Sequence, residues 1–304
     1  MTATTVGFIG LGFMGRPMAL NIMKKGHRLV VHDVDRSAVD ALVAKGAPAA
    51  ASPREVAAAA DIVITMLPDG PDVEKVALGP DGIAEGLRKD VLHVDMSTIA
   101  PSITRRIGEA YAKRGLHLID CPVGKTQDHA VAGTLTLLAG GDAALVERAR
   151  PVLMCMGDTL FHCGDLGAGE TIKLVNNRLA ASIYGAVSEA LVTGTKAGLS
   201  LDLMREVMGT TMAANAHLSV NMPKKSLVGD FTPGFMVALA QKDVRLAQAL
   251  AAELGVDSPV GAVTLELLGR AGAAGMARED VGALLKLFEQ QAGVEVRLPA
   301  AGAS

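Results

Sequence analysis

The first half of the chain alternates short runs of β-branched and apolar residues with longer amphipathic or alanine-rich stretches. The apolar runs predict strands over Thr5–Ile9, Arg28–His32, Ile62–Met66, Val91–Asp95, Leu116–Ile119 and Thr134–Ala139. The stretches between them predict helices over Met14–Lys25, Arg36–Lys45, Pro53–Ala59, Pro101–Arg114 and Ala143–Met154. Strand and helix at this spacing form βαβ units, so the expected architecture is α/β, a doubly wound parallel sheet covered on both faces.

Past Cys163 the pattern changes. Gly164–Gly169 reads as a loop and Glu170–Lys196 as one long helix, and only helical periodicity follows, over Phe235–Leu254, Val260–Arg270 and Asp280–Gln291. A chain of 304 residues has room for two domains of about 150 residues each. The expected division is 1–164, α/β, and 165–304, an all-helical C-terminal domain that begins with the long helix. Leu298–Ser304 is small and unpatterned and reads as a frayed tail.

Composition narrows the function classes. Twenty-nine Lys and Arg against 32 Asp and Glu leave a net charge of -3, without a basic field for nucleic acid or anionic lipid. There is no Trp and there are only six Phe and two Tyr, so stacking platforms for single-stranded nucleic acid are not expected and the core must come from Ala, Val, Leu, Ile and Met. Cys121, Cys155 and Cys163 are odd in number and lack CxxC spacing, which argues against a disulfide framework or a zinc site. No apolar run approaches the ~20 residues that span a bilayer, and no basic segment precedes the first strand. The expectation is a soluble, cytoplasmic protein with no membrane or nucleic-acid partner and no metal.

Gly10-Leu11-Gly12-Phe13-Met14-Gly15 follows the first predicted strand and opens the first predicted helix. In that context a GxGxxG has a mechanical reading. Gly10 permits the tight turn, Gly12 lets backbone approach a pyrophosphate, Gly15 permits close helix packing, and the helix N-terminus offers N–H groups to the anion. Asp33, at the end of the second strand, is placed to accept from adenosine ribose hydroxyls and to repel a 2′-phosphate, which favours NADH over NADPH; Arg36 nearby is the residue that could reverse this. Met66-Leu67-Pro68 and Asp95-Met96-Ser97-Thr98 end the third and fourth strands, where open α/β sheets place their ligands. On the long helix Lys173, Asn176, Asn177 and Ala180 share one face. Ile172, Val175, Leu179 and Ile183 form a neighbouring stripe expected to be buried. A polar cleft-lining face and a solvated face are both open readings of that spacing.

GFIGLGFMGRPMALN, DMSTIAP, DCPVGKTQDHAVAGTLTLLAGG, GAGETIKLVNN and ALAQKDVRLA, in this order, resemble the blocks of the β-hydroxyacid dehydrogenase family, over nearly the whole chain. The resemblance implies a Rossmann domain, an all-helical domain, an active site in the cleft between them, and a homodimer or homotetramer assembled through the helical domain. It implies that Lys173 is the catalytic lysine and that Asn177, with Asn176 beside it, helps hold substrate. It implies cofactor contacts from Phe13, Met14, Asp33, Leu67, Pro68 and Thr98, and from Lys242 in Gln241-Lys242-Asp243.

One block departs from most of the family, which carries Ser-Gly-Gly after Pro-Val as a cradle for a carboxylate. Here Gly124-Lys125-Thr126 follows Pro122-Val123. The family's sulfolactaldehyde reductases have Gly-Arg-Thr at this point, with the Arg on the sulfonate. A cation added to an anion cradle favours a charge-diffuse three-oxygen group. Lys125 in place of Arg, and Ala180 in place of a serine, separate this chain from that subgroup. The expected reaction is NADH-dependent reduction of a short anionic aldehyde, foremost 3-sulfolactaldehyde, with Lys173 as general acid and Ser97, Gly124, Lys125 and Thr126 around the anion. Open alternatives are a carboxylate-specific semialdehyde reductase, a 3-hydroxyisobutyrate dehydrogenase, and a non-catalytic nucleotide-binding protein; the presence of Lys173 counts against imine reduction. His162 and Cys163 are adjacent on an extended segment and face opposite ways, and His32, His93 and His117 read as structural.

Overall fold

A computed structural model describes residues 4–298, which form two compact units that divide between Leu174 and Val175. The division falls inside the long helix, ten residues after 164, where the sequence pattern changes.

The first unit is built on one eight-stranded sheet. Its strands are β1 (Thr5–Ile9), β2 (Arg28–His32), β3 (Ile62–Thr65), β4 (Leu92–Asp95), β5 (His117–Asp120), β6 (Val123–Gly124), β7 (Leu135–Gly140) and β8 (Gly157–Gly164). β2, β1, β3, β4 and β5 lie side by side in that order and run parallel. β3 and β4 are buried at every position, as strands covered on both faces must be.

The expected parallel sheet carries one antiparallel edge. β7 runs antiparallel to β5 and β6, and β8 then pairs with it in parallel. Only the ten residues Lys125–Thr134 join β6 to β7, and a parallel crossover needs a dozen or more. Neither β6 nor β8 stands out in the sequence: β6 is two residues long, and β8 is mostly exposed and carries polar residues and glycine at both ends. Helices over Gly70–Leu78, Ile83–Gly86 and Gln127–Ala132 were also not predicted. We label three helices here: α1 (Gly15–Lys24), α2 (Gln127–Ala132) and α3 (Ala168–Lys196).

The second unit is helical. α4 (Val237–Glu253), α5 (Pro259–Ala271) and α6 (Ala283–Ala292) enclose a core with Tyr184, Leu191, Met222, Val244, Leu268 and Leu284. Leu298 belongs to this packing, its amide donating to the Leu227 carbonyl at 2.8 Å, whereas the rest of the expected tail lies outside the described residues.

Three of the four members of the α3 stripe expected to be buried are exposed, while Ile183 is half-buried and packs against the core of the second unit. Ile172, Val175 and Leu179 are 43%, 43% and 57% exposed, whereas Lys173 and Leu174 are buried. Helical spacing sorts residues onto faces, but hydrophobicity alone does not say which face turns inward. Among the described residues no helix is long and apolar enough to cross a membrane.

Candidate active site

Sheet register brings the polar chemistry of the first unit to one line. Ile9 lies opposite Thr65, Thr65 opposite Asp95, and Asp95 opposite Asp120, all at the carboxyl ends of parallel strands. The glycine turn leaves β1 at this edge. Gly10 has φ +97°, and a Cβ there would lie 2.2 Å from the Met66 carbonyl oxygen; one on Gly15 would lie 1.9 Å from the Gly10 oxygen. Gly12 differs: nothing lies within 4 Å of its would-be Cβ, so its backbone is open to an approaching group. A closed turn with one open glycine fits the pyrophosphate of a dinucleotide, with Phe13 exposed and Met14 half-buried beside it. Asp33 is half-buried, its carboxylate accepting from the Leu11 amide at 2.6 Å and the Asp35 amide at 2.7 Å. Arg36 turns away to Asp40 on its own helix, at 3.1 Å.

Beneath the edge runs a buried polar chain. The Ser97 hydroxyl donates to Asp95 at 2.6 Å and accepts from the Leu67 amide at 2.9 Å, and Thr65 donates to the same Asp95 oxygen at 2.8 Å. The His93 ring bridges the Thr65 and Tyr111 hydroxyls; burial lowers its pKa to about 3, so it is neutral. Ser97 is wholly buried, and its hydroxyl ties the Leu67 loop to β4. Pro68 is exposed, and Leu67 and Thr98 are half-buried.

The N-terminus of α3 is held by two acids that the sequence reading did not single out. The Asp120 carboxylate accepts from the Gly167 amide at 2.7 Å and the Glu170 amide at 2.8 Å, and Glu170 accepts from the Ile99 amide at 3.1 Å. Burial raises Asp120 to about 6 against the lowering effect of these N–H donors. Lys173, one turn beyond Glu170, is 8% exposed. Asp120 opens a block quoted above, but its partners lie 47 and 50 residues away and only the fold pairs them.

In the second unit Asn177 donates to Asp243 on α4 at 2.7 Å, and Lys242 lies 3.2 Å from the other oxygen of that carboxylate. Asp243 is buried, so two expected site residues 65 positions apart share one fixed acceptor. Asn176 is exposed and donates to Asn177 at 3.2 Å; Ala180 is half-buried.

Gly124 ends β6, and Lys125 and Thr126 lead from it into α2. Lys125 has φ 74°, and its ammonium contacts the Thr134 carbonyl at 2.6 Å and both Asp158 oxygens at 3.2 and 3.3 Å. Thr126 bonds the His129 ring at 3.0 Å, and Gly124 pairs with Thr136 across β6 and β7. Of the residues set aside, His162 bonds the Gly141 carbonyl, and no cluster able to hold a metal exists among the described residues.

Residues 5–164 match the NAD-binding domain of 6-phosphogluconate dehydrogenase, and residues 167–288 match the family described as NAD-binding of NADP-dependent 3-hydroxyisobutyrate dehydrogenase. Fold, glycine turn and family together define a nicotinamide-dependent oxidoreductase acting on CH–OH groups. The chain is 42% identical to 3-sulfolactaldehyde reductase of Escherichia coli K12, over 96% of this chain and 98% of that one. It is 40% identical to NAD-dependent L-serine dehydrogenase of Pseudomonas aeruginosa, over 95% and 99%. A solved structure of Mycobacterium tuberculosis 3-hydroxyisobutyrate dehydrogenase with L-serine superposes with a TM-score of 0.89 at 33% identity, over 94% and 99%. The chain belongs to the β-hydroxyacid dehydrogenase family.

Proposed function

We propose that the protein reduces a short anionic aldehyde with NADH, foremost 3-sulfolactaldehyde to 2,3-dihydroxypropane-1-sulfonate. The observation that carries this reading is the support under Lys173: a buried lysine on a helix whose first turn is anchored by Asp120 and Glu170. The nicotinamide, when bound, supplies the hydride for the carbonyl carbon. Lys173 as an ammonium gives its proton to the carbonyl oxygen and stabilises the charge that develops there. Asn177, oriented by Asp243, holds the substrate, with Asn176 and the small Ala180 along the same face. Lys242 reaches the cofactor. Asp33 accepts the ribose hydroxyls and repels a 2′-phosphate, which supports NADH over NADPH. Gly124, Lys125 and Thr126 receive the anion, and Ser97 acts on the adjoining loop through Leu67.

The substrate reading rests on Lys125 and on the similarity to 3-sulfolactaldehyde reductase, while relatives of nearly equal identity act under other names. A carboxylate semialdehyde is the second reading, favoured by the engagement of Lys125 with Asp158. We also propose that the protein is a homodimer or homotetramer assembled through the helical domain, as the family resemblance suggests. The test is steady-state NADH and NADPH oxidation with 3-sulfolactaldehyde, succinic semialdehyde and tartronate semialdehyde, for wild type, Lys125→Ala and Lys173→Ala. Lys173→Ala should lower kcat by about 10²–10⁴-fold with NADH affinity retained. A Lys173→Ala enzyme that turns over well removes the catalytic assignment. A lead for succinic semialdehyde that is indifferent to Lys125→Ala transfers the substrate to the carboxylate class.

A further inference from the structure

Two backbone irregularities of the first unit converge on one ion pair. Among the described residues only Asp81 and Lys125 combine a side chain with a left-handed φ, and Lys125 adopts it immediately after β6. Its partner Asp158 is also irregular. Leu135 pairs with Gly157 and Thr136 with Thr159, so Asp158 is the extra residue of a β-bulge on β8. Gly157 makes the bulge possible, since a Cβ there would lie 2.5 Å from the Leu135 carbonyl oxygen. Bulges recur where a strand must re-aim a side chain, and this one aims Asp158 at Lys125.

Stability does not explain the arrangement. The two side chains are 33% and 45% exposed, and a pair so wet contributes no more than the left-handed backbone of Lys125 costs. Position points to the site instead. Gln127, two residues after Lys125, donates to the Phe13 carbonyl in the glycine turn at 3.4 Å, and Asn21 on α1 donates to Ala130 on α2 at 2.7 Å. Lys125 therefore stands beside the dinucleotide-binding turn with its ammonium donors already engaged by Thr134 and Asp158.

We infer that Asp158 is a specificity-determining residue. Its carboxylate leaves the Lys125 position with no net charge, so the pair offers a doubly charged anion no attraction to offset its greater cost of desolvation, while a singly charged anion of similar length is admitted. This rests on the assignment of Lys125 to the anion site. The chemical class excluded is the phosphate dianion of a three-carbon aldehyde, which differs from a sulfonated one chiefly in its second charge. Removing the Asp158 charge acts once on a monoanion and twice on a dianion, so the gain for the dianion is about the square of the gain for the monoanion.

The experiment compares wild type with Asp158→Asn and Asp158→Ser, each loaded with NAD. Calorimetry measures binding of 3-hydroxypropane-1-sulfonate and glycerol 3-phosphate, and steady-state assays measure KM and kcat for succinic semialdehyde, glyceraldehyde 3-phosphate and uncharged glyceraldehyde. Both variants should tighten on the sulfonate by about threefold and on the phosphate by about tenfold. The gain should appear in KM and shrink in high salt, and Lys125→Met should act in the opposite direction, weakening both anions and the phosphate more. Glyceraldehyde should not follow. Equal gains for all ligands, no gain for the phosphate, or a Lys125→Met variant that binds both anions as wild type does would overturn the inference. If wild type reduces no anionic aldehyde while Asp158→Asn still tightens on glycerol 3-phosphate, the functional reading falls and the role of Asp158 stands.

Discussion

Two strand-to-helix turns of the first unit invite comparison. The turn from β1 into α1 puts a glycine at its left-handed position, Gly10 at φ +97°, because a Cβ would strike the Met66 carbonyl oxygen at 2.2 Å. The turn from β6 into α2 puts a lysine at its left-handed position, Lys125 at φ 74°, with room for the side chain and two partners for it. In the first turn sterics leave no choice. In the second, the left-handed backbone is occupied by a residue whose side chain reaches Thr134 and Asp158. Each turn leads into one of two helices joined by Asn21 and Ala130, so the rigid turn and the strained one are mounted together.

The contrast can be broken most severely at Gly15. A Cβ there meets the Gly10 oxygen at 1.9 Å, so Gly15→Ala should lower unfolding free energy by about 3 kcal/mol or more, read by chemical denaturation. Gly12→Ala separates binding from folding in the same turn. With nothing within 4 Å, it should leave the melting temperature of the cofactor-free protein in place yet weaken NADH binding by about tenfold or more. A Gly12→Ala protein that binds NADH normally would remove the open-glycine argument.

Asp120, which leads from β5 toward the second turn, gives a pH signature. Its folded pKa of about 6 lies above the unfolded value near 3.8, so the native state holds this proton more tightly than the unfolded chain does. Its contribution is complete below about pH 4 and is lost as pH rises through about 6. Between those limits wild type should lose about 2 kcal/mol more unfolding free energy than Asp120→Asn does. Parallel curves for the two proteins would contradict the buried-acid picture. The smallest effect is at Lys125, where Gly and Ala should exchange their usual order. Lys125→Gly should be more stable than Lys125→Ala by about 1 kcal/mol, because only glycine sits at φ 74° without strain.

Much of this protein was legible in its residues. All six predicted strands exist, and β1 and β2 match to the residue, because β-branched runs between turn signals leave few alternatives. The glycine turn was legible for the same reason: its function is local, and three glycines at fixed spacing carry it. The inward face of α3 was not legible. Apolar Ile172, Val175 and Leu179 read as a core stripe, yet Lys173 is buried and they are not. That outcome depends on what packs around the helix, and a single helix cannot report it.

The sequence by itself determined the alternating α/β half, the helical half, the dinucleotide turn and the family blocks, since each depends on neighbours within a few tens of residues. Only the tertiary structure decided that Asp120 would anchor α3, that Asp243 would join Asn177 to Lys242, and that a bulge on β8 would turn Asp158 toward Lys125. Each of these pairings is made by strand register, a β-bulge or helix packing. Such contacts follow from where whole elements come to lie, and local propensity carries no record of that.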